Sequence, residues 1–219
     1  MKLTDETLWM AQPPLNGSMA GLYQRAALAI SRMGKETRNL IFTAPRAGTG
    51  TSVTTLNVGR QLRGLGVKAL VVELNRLHSV YGARLEMSEA PGVNGILSGM
   101  SIAEAARPDA SGLPVLPLTE PWPSAKSIAC VATAIVEKTS QFDIVLFDSP
   151  PLFDSADTLA IGSVVRDTII VIRAGRTSAE ALSSARQQCE EAGLRIRGSI
   201  LNMRERIMPT WMDRWLEGL

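Results

Sequence analysis

The stretch from Ile41 to Ser52 carries the clearest chemistry in the sequence. Apolar residues run into a loop of small ones, Ala47, Gly48, Thr49 and Gly50, and then into a helix. That layout places backbone N–H groups at a helix N-terminus, where they cradle phosphate. The pattern asks for Gly, four residues, then Gly, Lys and Ser or Thr. Pro45 stands at the first glycine, Gly50 at the second and Thr51 at the lysine, while Ser52 keeps the hydroxyl that ligates Mg²⁺. The loop therefore has the shape of an ATP site without its main charge. Downstream, Asp148 closes the apolar run that begins at Phe142 and is followed by Ser149, Pro150 and Pro151. A carboxylate there either holds Mg²⁺ through water or caps a loop. The order of phosphate loop, acidic strand end at Glu73 and then Asp148 favours the metal.

These residues need a scaffold, and the chain supplies one. Its 219 residues are enough for one well-buried core. An apolar content of 45% with 20% charged residues is ordinary for a folded protein. The net charge of +2 is too small to indicate nucleic acid without a clustered basic face. No apolar run reaches the roughly 18 residues of a membrane span, and the N-terminus lacks the pattern of a signal peptide, so a cytoplasmic protein is expected. Cys130 and Cys189 are far apart, and with a lone histidine, His78, they make neither a disulfide nor a zinc framework.

Strands are predicted at Asn39 to Ala44, Val67 to Leu74, Leu113 to Leu118, Phe142 to Asp148, Thr168 to Arg173 and Ile196 to Asn202. Helices are predicted from Ser18 to Arg32, Thr51 to Arg63, Val93 to Leu97, Ser101 to Arg107, Ser124 to Ser140, Ala156 to Val165 and Ser178 to Ala192. Alternation of this kind gives right-handed βαβ units. The expected fold is a three-layer α/β/α P-loop NTPase-like domain with a mainly parallel central sheet. It divides into an N-terminal arm and helix (1–38), a core (39–203) and a C-terminal amphipathic helix (204–219). Ligands in such sheets sit beyond the carboxyl ends of the strands, where Pro45 to Ser52, Asn75 and Asp148 all fall.

The order of motifs over roughly residues 40 to 203 resembles the bacterial tyrosine kinases of capsule and exopolysaccharide synthesis, in the deviant-Walker group of P-loop proteins. Glu73, Asn75 and Arg76 match that family's second acidic strand end, and Gly92, Leu97 and Gly99 its glycine-leucine-glycine spacing. Pro121 and Pro123 precede the strand ending at Asp148, and Asp157, Arg173-Ala174-Gly175 with Thr177, and Leu201-Asn202 follow in family order. The resemblance implies ATP and Mg²⁺ as cofactors. Nucleotide would be held by Arg46, Gly48, Thr49, Gly50, Thr51, Ser52, Arg173 and Asn202, and metal by Ser52 and Asp148. Glu73 and Asp148 would be the catalytic carboxylates of an active enzyme. It further implies an inner-membrane chain-length regulator or export component as partner, no nucleic acid, and a place at the inner face of the cell membrane.

The departures fall on the catalytic positions. Thr51 removes a charge pair that at about 4 Å and an effective dielectric near 20 is worth about 4 kcal/mol. Arg46 occupies the place of the group's extra signature lysine and offers a substitute. Asn75 is uncharged where the family has an acid. Tyr23 and Tyr81 are the chain's two tyrosines, so the family's C-terminal tyrosine cluster is missing. Around Tyr23, Gln24 and Arg25 stand without the acidic residue and two arginines that the family uses between subunits. Ring formation by that route is not expected, and homo-oligomerisation stays open. The expected function is that of a regulatory pseudokinase of exopolysaccharide synthesis; the alternative is an active autokinase or ATPase with non-standard phosphate ligands. In the tail, Met208, Trp211, Met212, Trp215, Leu216 and Leu219 share a helical face suited to self-packing, a partner or a membrane surface. Arg195, Arg197, Arg204 and Arg206 form a basic cluster, read either as a solvated face or as a contact for phosphate, acidic lipid or a partner.

Overall fold

The computed structural model describes residues 17–34, 36–120 and 127–203. Helix α1 (Gly17–Ser31) precedes β1 (Asn39–Thr43), α2 (Thr51–Gly64) and β2 (Ala69–Glu73). The middle holds α3 (Tyr81–Arg84), α4 (Gly92–Leu97), α5 (Ile102–Ala105) and two short strands, β3 (Arg107–Pro108) and β4 (Pro114–Leu116). Then come α6 (Ile128–Glu137), β5 (Ile144–Asp148), α7 (Asp157–Gly162), β6 (Asp167–Arg173), α8 (Ala179–Glu191) and β7 (Arg195–Asn202).

The strands form one sheet in the order β3-β4-β2-β5-β1-β6-β7. Every neighbouring pair is parallel except β3 with β4. The apolar runs read from the sequence become central strands buried on both faces, as parallel sheets require. Alternate side chains separate into two cores. Leu40, Phe42, Val71 and Leu146 pack with Tyr23, Leu56 and Leu62 of α1 and α2. Ile41, Val72, Val145 and Phe147 pack on the other face with Val93, Val131, Ile161 and Ala185 of α4, α6, α7 and α8. The expected three-layer α/β/α architecture is what the chain adopts.

Local chemistry sets the element ends. Gly66 takes φ 81° just beyond α2 and its N–H donates to Arg63 O, closing the helix. α5 is shorter than the predicted Ser101 to Arg107. A capping box between Ser101 and Glu104 starts it, and Arg107, preceding Pro108, turns extended and pairs antiparallel with β4. At α6, Ser127 caps the first turn by accepting from Cys130 N. The glycine-leucine-glycine spacing is explained by backbone. Gly92 has φ 54°, and a Cβ on it would overlap the Pro117 carbonyl oxygen, to which Val93 N donates. Gly99 has φ 99°. The predicted arm at 1–16, Pro121, Pro123, the start of the helix predicted from Ser124, Arg204, Arg206 and the helix from Met208 to Leu219 lie outside the described residues.

Candidate functional site

Parallel pairing brings the key carboxylates together. β2 and β5 are in register, so Glu73 lies opposite Asp148, and Phe42 of β1 lies opposite Asp148 on its other side. Both strand ends point to the loop between β1 and α2. That loop turns through Gly48 and Gly50, each at φ 76°, and Gly50 is the N-cap of α2. It opens on a cleft of about 290 Å³ lined by residues 47–53 together with Asn75, His78, Val80, Arg84, Ser149 and Pro151.

Several ties hold the loop. Leu152 N donates to Ala44 O at 2.8 Å, Phe153 N to Pro45 O at 3.1 Å, and Ala47 N to the Asp154 carboxylate at 3.1 Å. On the far side, Arg173 Nη1 donates to Gly48 O and Asn202 Nδ2 to Thr49 O, both at 2.9 Å. A Cβ on Gly50 would come within 2.6 Å of Asn202 Nδ2, so glycine is required there by space as well as by φ. Thr177 in turn accepts from Arg173 N at 3.1 Å. Arg173 and Asn202, expected to touch nucleotide, thus act on the loop's own carbonyls from outside the cleft wall. The Asn202 acceptor oxygen is buried and without a partner.

Arg46 is also placed differently from expectation. Its guanidinium lies over the Phe153 ring, 5.3 Å from the centroid, and is not part of the cleft wall. A cation on an aromatic face is stabilised there. Thr51 turns its hydroxyl to that of Thr49 at 2.9 Å. The floor of the loop therefore presents hydroxyls where the motif would present an ammonium group.

Glu73, expected as a catalytic carboxylate, is engaged in holding backbone. Oε1 accepts from Val80 N at 2.6 Å and Tyr81 N at 3.0 Å. Oε2 accepts from Leu118 N at 2.9 Å and the Ser79 hydroxyl at 3.2 Å. With four donors on two oxygens, it anchors α3 and the segment after β4. Burial raises its pKa, and the four hydrogen bonds temper that rise. Asn75 Oδ1 accepts from His78 N at 3.2 Å, folding the loop that leads to α3. Arg76 forms a two-pronged pair with Asp157 at 2.6 and 2.8 Å, tying this loop to α7.

Asp148 is the opposite case. It is fully buried, and neither carboxylate oxygen has a hydrogen-bond partner of ordinary geometry. Burial pushes its pKa from the usual 3.8 to about 8; the nearby Glu73 charge adds to the rise, and the adjacent Ser52 and Tyr81 hydroxyls oppose it. Orphaned buried polar atoms of this kind call for an explanation. A carboxylate below the Ser52 hydroxyl, behind a loop of N–H groups, fits the donor set of a magnesium nucleotide site. The bound ion would supply the positive charge that lets this carboxylate ionise.

Sequence reasoning missed three wall residues, His78, Val80 and Arg84. They sit on or beside the single turn of α3, whose four residues have no periodicity to detect. The two tyrosines are both at 0% exposure. Tyr81 donates its hydroxyl to Ser52 O at 2.8 Å, and burial raises its pKa well above 10.0. Of the basic cluster, Arg195 pairs with the buried Asp167 at 2.9 Å and Arg197 approaches it at 4.0 Å. Cys130 and Cys189 are both free.

A parallel sheet with a glycine-bearing loop between β1 and α2 and an aspartate at the end of the adjacent β5 defines a P-loop NTPase-like protein. No protein-family profile matches the chain. It is 28% identical over 189 residues to the tyrosine-protein kinase CpsD of Streptococcus agalactiae, spanning 82% of this chain and 81% of that protein. The kinase domain of the Escherichia coli tyrosine kinase ETK superposes with a TM-score of 0.73 at 21% identity, over 85% of this chain and 75% of that one. A Mycobacterium smegmatis cobyrinic acid a,c-diamide synthase, solved with bound ADP and magnesium, superposes at 0.64 and 17% identity, over 83% and 81%. Over most of its length the chain is thus similar in sequence to bacterial tyrosine-protein kinases and in fold to their kinase domains.

Proposed function

We propose that this protein is a nucleotide-responsive pseudokinase of capsule or exopolysaccharide synthesis. It keeps a magnesium nucleotide site but does not phosphorylate itself on tyrosine. The observation that carries this reading is a phosphate loop whose fold is fully held, by the ties to Gly48 and Thr49, yet which presents Thr51 where a transferring enzyme places its lysine. The burial of Tyr23 and Tyr81 supports it, since neither hydroxyl is open to a kinase in the folded protein. The partner would be a membrane chain-length regulator or export component, as the family resemblance implies. Among the described residues no helix is long and apolar enough to cross a membrane. We place any membrane contact at the partner or at residues 208–219.

The second reading, an active kinase or ATPase with non-standard ligands, is favoured by one observation. Asp148 lies partnerless beneath Ser52, the arrangement a working Mg²⁺ site would need. One experiment separates the two. Purified protein is incubated with Mg·ATP, with and without a membrane chain-length regulator of polysaccharide synthesis, while thermal stability, phosphate release and phosphotyrosine are followed. Stabilisation by nucleotide without turnover supports the pseudokinase, and nucleotide at about 100 times its Kd should add about 2.7 kcal/mol. Sustained phosphate release or phosphotyrosine on this chain refutes it.

A further inference from the structure

Asn75 stands where the family resemblance puts an acid, and the loop it closes fixes how its amide is turned. The His78 backbone N–H donates to it at 3.2 Å. A backbone N–H can only donate, so the amide atom facing it is the oxygen and the N–H₂ group is turned away. Among the described residues that N–H₂ group has no hydrogen-bond partner. Asn75 is only 6% exposed, and the space it lines is the cleft in front of residues 47–53. Two unused donors on a nearly buried side chain, set into the wall of a phosphate site, call for an acceptor. We infer that the Asn75 amide is a ligand for the outermost phosphate, so that the cleft takes a nucleoside triphosphate in preference to the diphosphate. The inference rests on the nucleotide-binding reading above and adds which form of the nucleotide the site selects.

The strand order places this amide at the outer end of a polyphosphate. β2 and β5 are neighbours, and their pairing continues one bond past the register, from Leu74 N to Asp148 O at 2.8 Å. Asn75 is the next residue beyond that bond, on the same side of the cleft as Asp148. Asp148 and Ser52 make up the donor set for magnesium, and the phosphates that share such an ion are the outer two. The N-terminus of α2 faces the same space from the other wall. Asn75 is also held in advance. Leu74 is bonded to Asp148, and Arg76 is locked to Asp157 by its two-pronged pair, so the residue between them has little freedom to lose on binding. An aspartate at this place would meet phosphate with a like charge, whereas the amide meets it with N–H donors, and bonds to a charged acceptor are the strong ones. The change that removes an acid from the site is on this reading the same change that gives it a phosphate donor.

Titration calorimetry on the full chain with Mg·ADP and with the magnesium complex of the non-hydrolysable triphosphate AMPPNP tests the proposal, in the parent, Asn75→Ala and Asn75→Asp. The parent should bind the triphosphate about tenfold or more tighter than the diphosphate, the scale of a hydrogen bond to a charged acceptor. In both variants the ratio should fall to within about threefold, with diphosphate affinity little changed. Loss of a merely structural role would weaken both nucleotides alike and leave the ratio where it was. A second readout needs only the parent: in ¹⁵N-labelled protein the Asn75 side-chain N–H₂ signal, identified by its absence from Asn75→Asp, should shift with Mg·AMPPNP and stay in place with Mg·ADP. Melting temperatures without ligand verify that the variants are folded, and the N–H₂ signal carries the test should Asn75→Ala melt early. Equal affinity of the parent for the two nucleotides, a ratio kept by Asn75→Ala, or a signal that Mg·AMPPNP does not move overturns the inference while leaving the nucleotide reading in place. No binding of either nucleotide by the parent overturns both.

Discussion

Replacing Asp148 by asparagine should make the protein more stable at neutral pH and flatten its pH dependence. The carboxylate is fully buried, has no hydrogen-bond partner of ordinary geometry and faces Glu73 across β2 and β5. In the folded protein it holds its proton up to about pH 8, whereas the unfolded chain releases it near 3.8. The folded state therefore binds the extra proton between these values. Its stabilising effect is complete below pH 3.8, falls as pH rises and is gone above about 8. Each pH unit inside the window costs at most about 1.4 kcal/mol, so going from pH 5 to pH 8 costs up to about 4 kcal/mol. An asparagine side chain in its place would occupy nearly the same volume without a charge to desolvate. Urea denaturation of both proteins at intervals from pH 5 to pH 8, without metal or nucleotide, reads the difference directly. The parent should lose stability across the range and Asp148→Asn should keep most of it, with Glu73, whose pKa is also raised, contributing the same residual slope to both. Parallel loss in the two proteins would refute the placement of a protonated Asp148 beneath the phosphate loop.

Thr51→Lys should strengthen Mg·ATP binding by roughly a hundredfold, because a lysine there faces polyphosphate at close range; unchanged affinity in a fluorescent-nucleotide titration would mean that the loop is not shaped for phosphate. Gly92→Ala should cost about 2 kcal/mol or more in chemical denaturation, since the residue has φ 54° and its new methyl meets the Pro117 carbonyl; a loss below about 0.5 kcal/mol would contradict that packing. Asp109→Asn should cost about 3 kcal/mol, because it removes the carboxylate charge that the buried Arg60 guanidinium holds at 2.7 Å; a near-neutral midpoint would show that the pair is solvated. Prolonged incubation with Mg·ATP should give no phosphotyrosine detectable by mass spectrometry on Tyr23 or Tyr81 while the protein stays folded, and modification at either position would contradict their burial.

Much of the scaffold was legible because it is written in local patterns. Continuous apolar runs marked the buried strands, and glycines marked the loop between β1 and α2, where φ is positive. Strand alternation puts Leu40 and Phe42 on one face and Ile41 on the other. What escaped depends on partners far away in sequence. The hydrogen bonds that Glu73 accepts from Val80, Tyr81 and Leu118 have no local signal. Nor does the placement of Arg46 over Phe153. α3 is too short for periodicity, so Arg84 gave no signal at all. β4 lies within the strand predicted at Leu113 to Leu118, but its antiparallel partner β3 hides in a stretch rich in proline and glycine, where local pattern favours turns over strands.

The far-side ties on the phosphate loop also set an order of events as the chain is made. The loop leaves the ribosome ahead of most of the core, yet the side chains that hold its carbonyls follow 125 residues later for Arg173 and 153 residues later for Asn202. At synthesis rates of about 5 to 20 residues per second, the loop waits about 6 to 25 seconds for Arg173 and about 8 to 30 seconds for Asn202. Nascent chains that stop short of Asn202 would present strands β1 and β2 with an unfinished cleft. Nucleotide, or a partner that senses the finished cleft, would then distinguish completed molecules from those still being made.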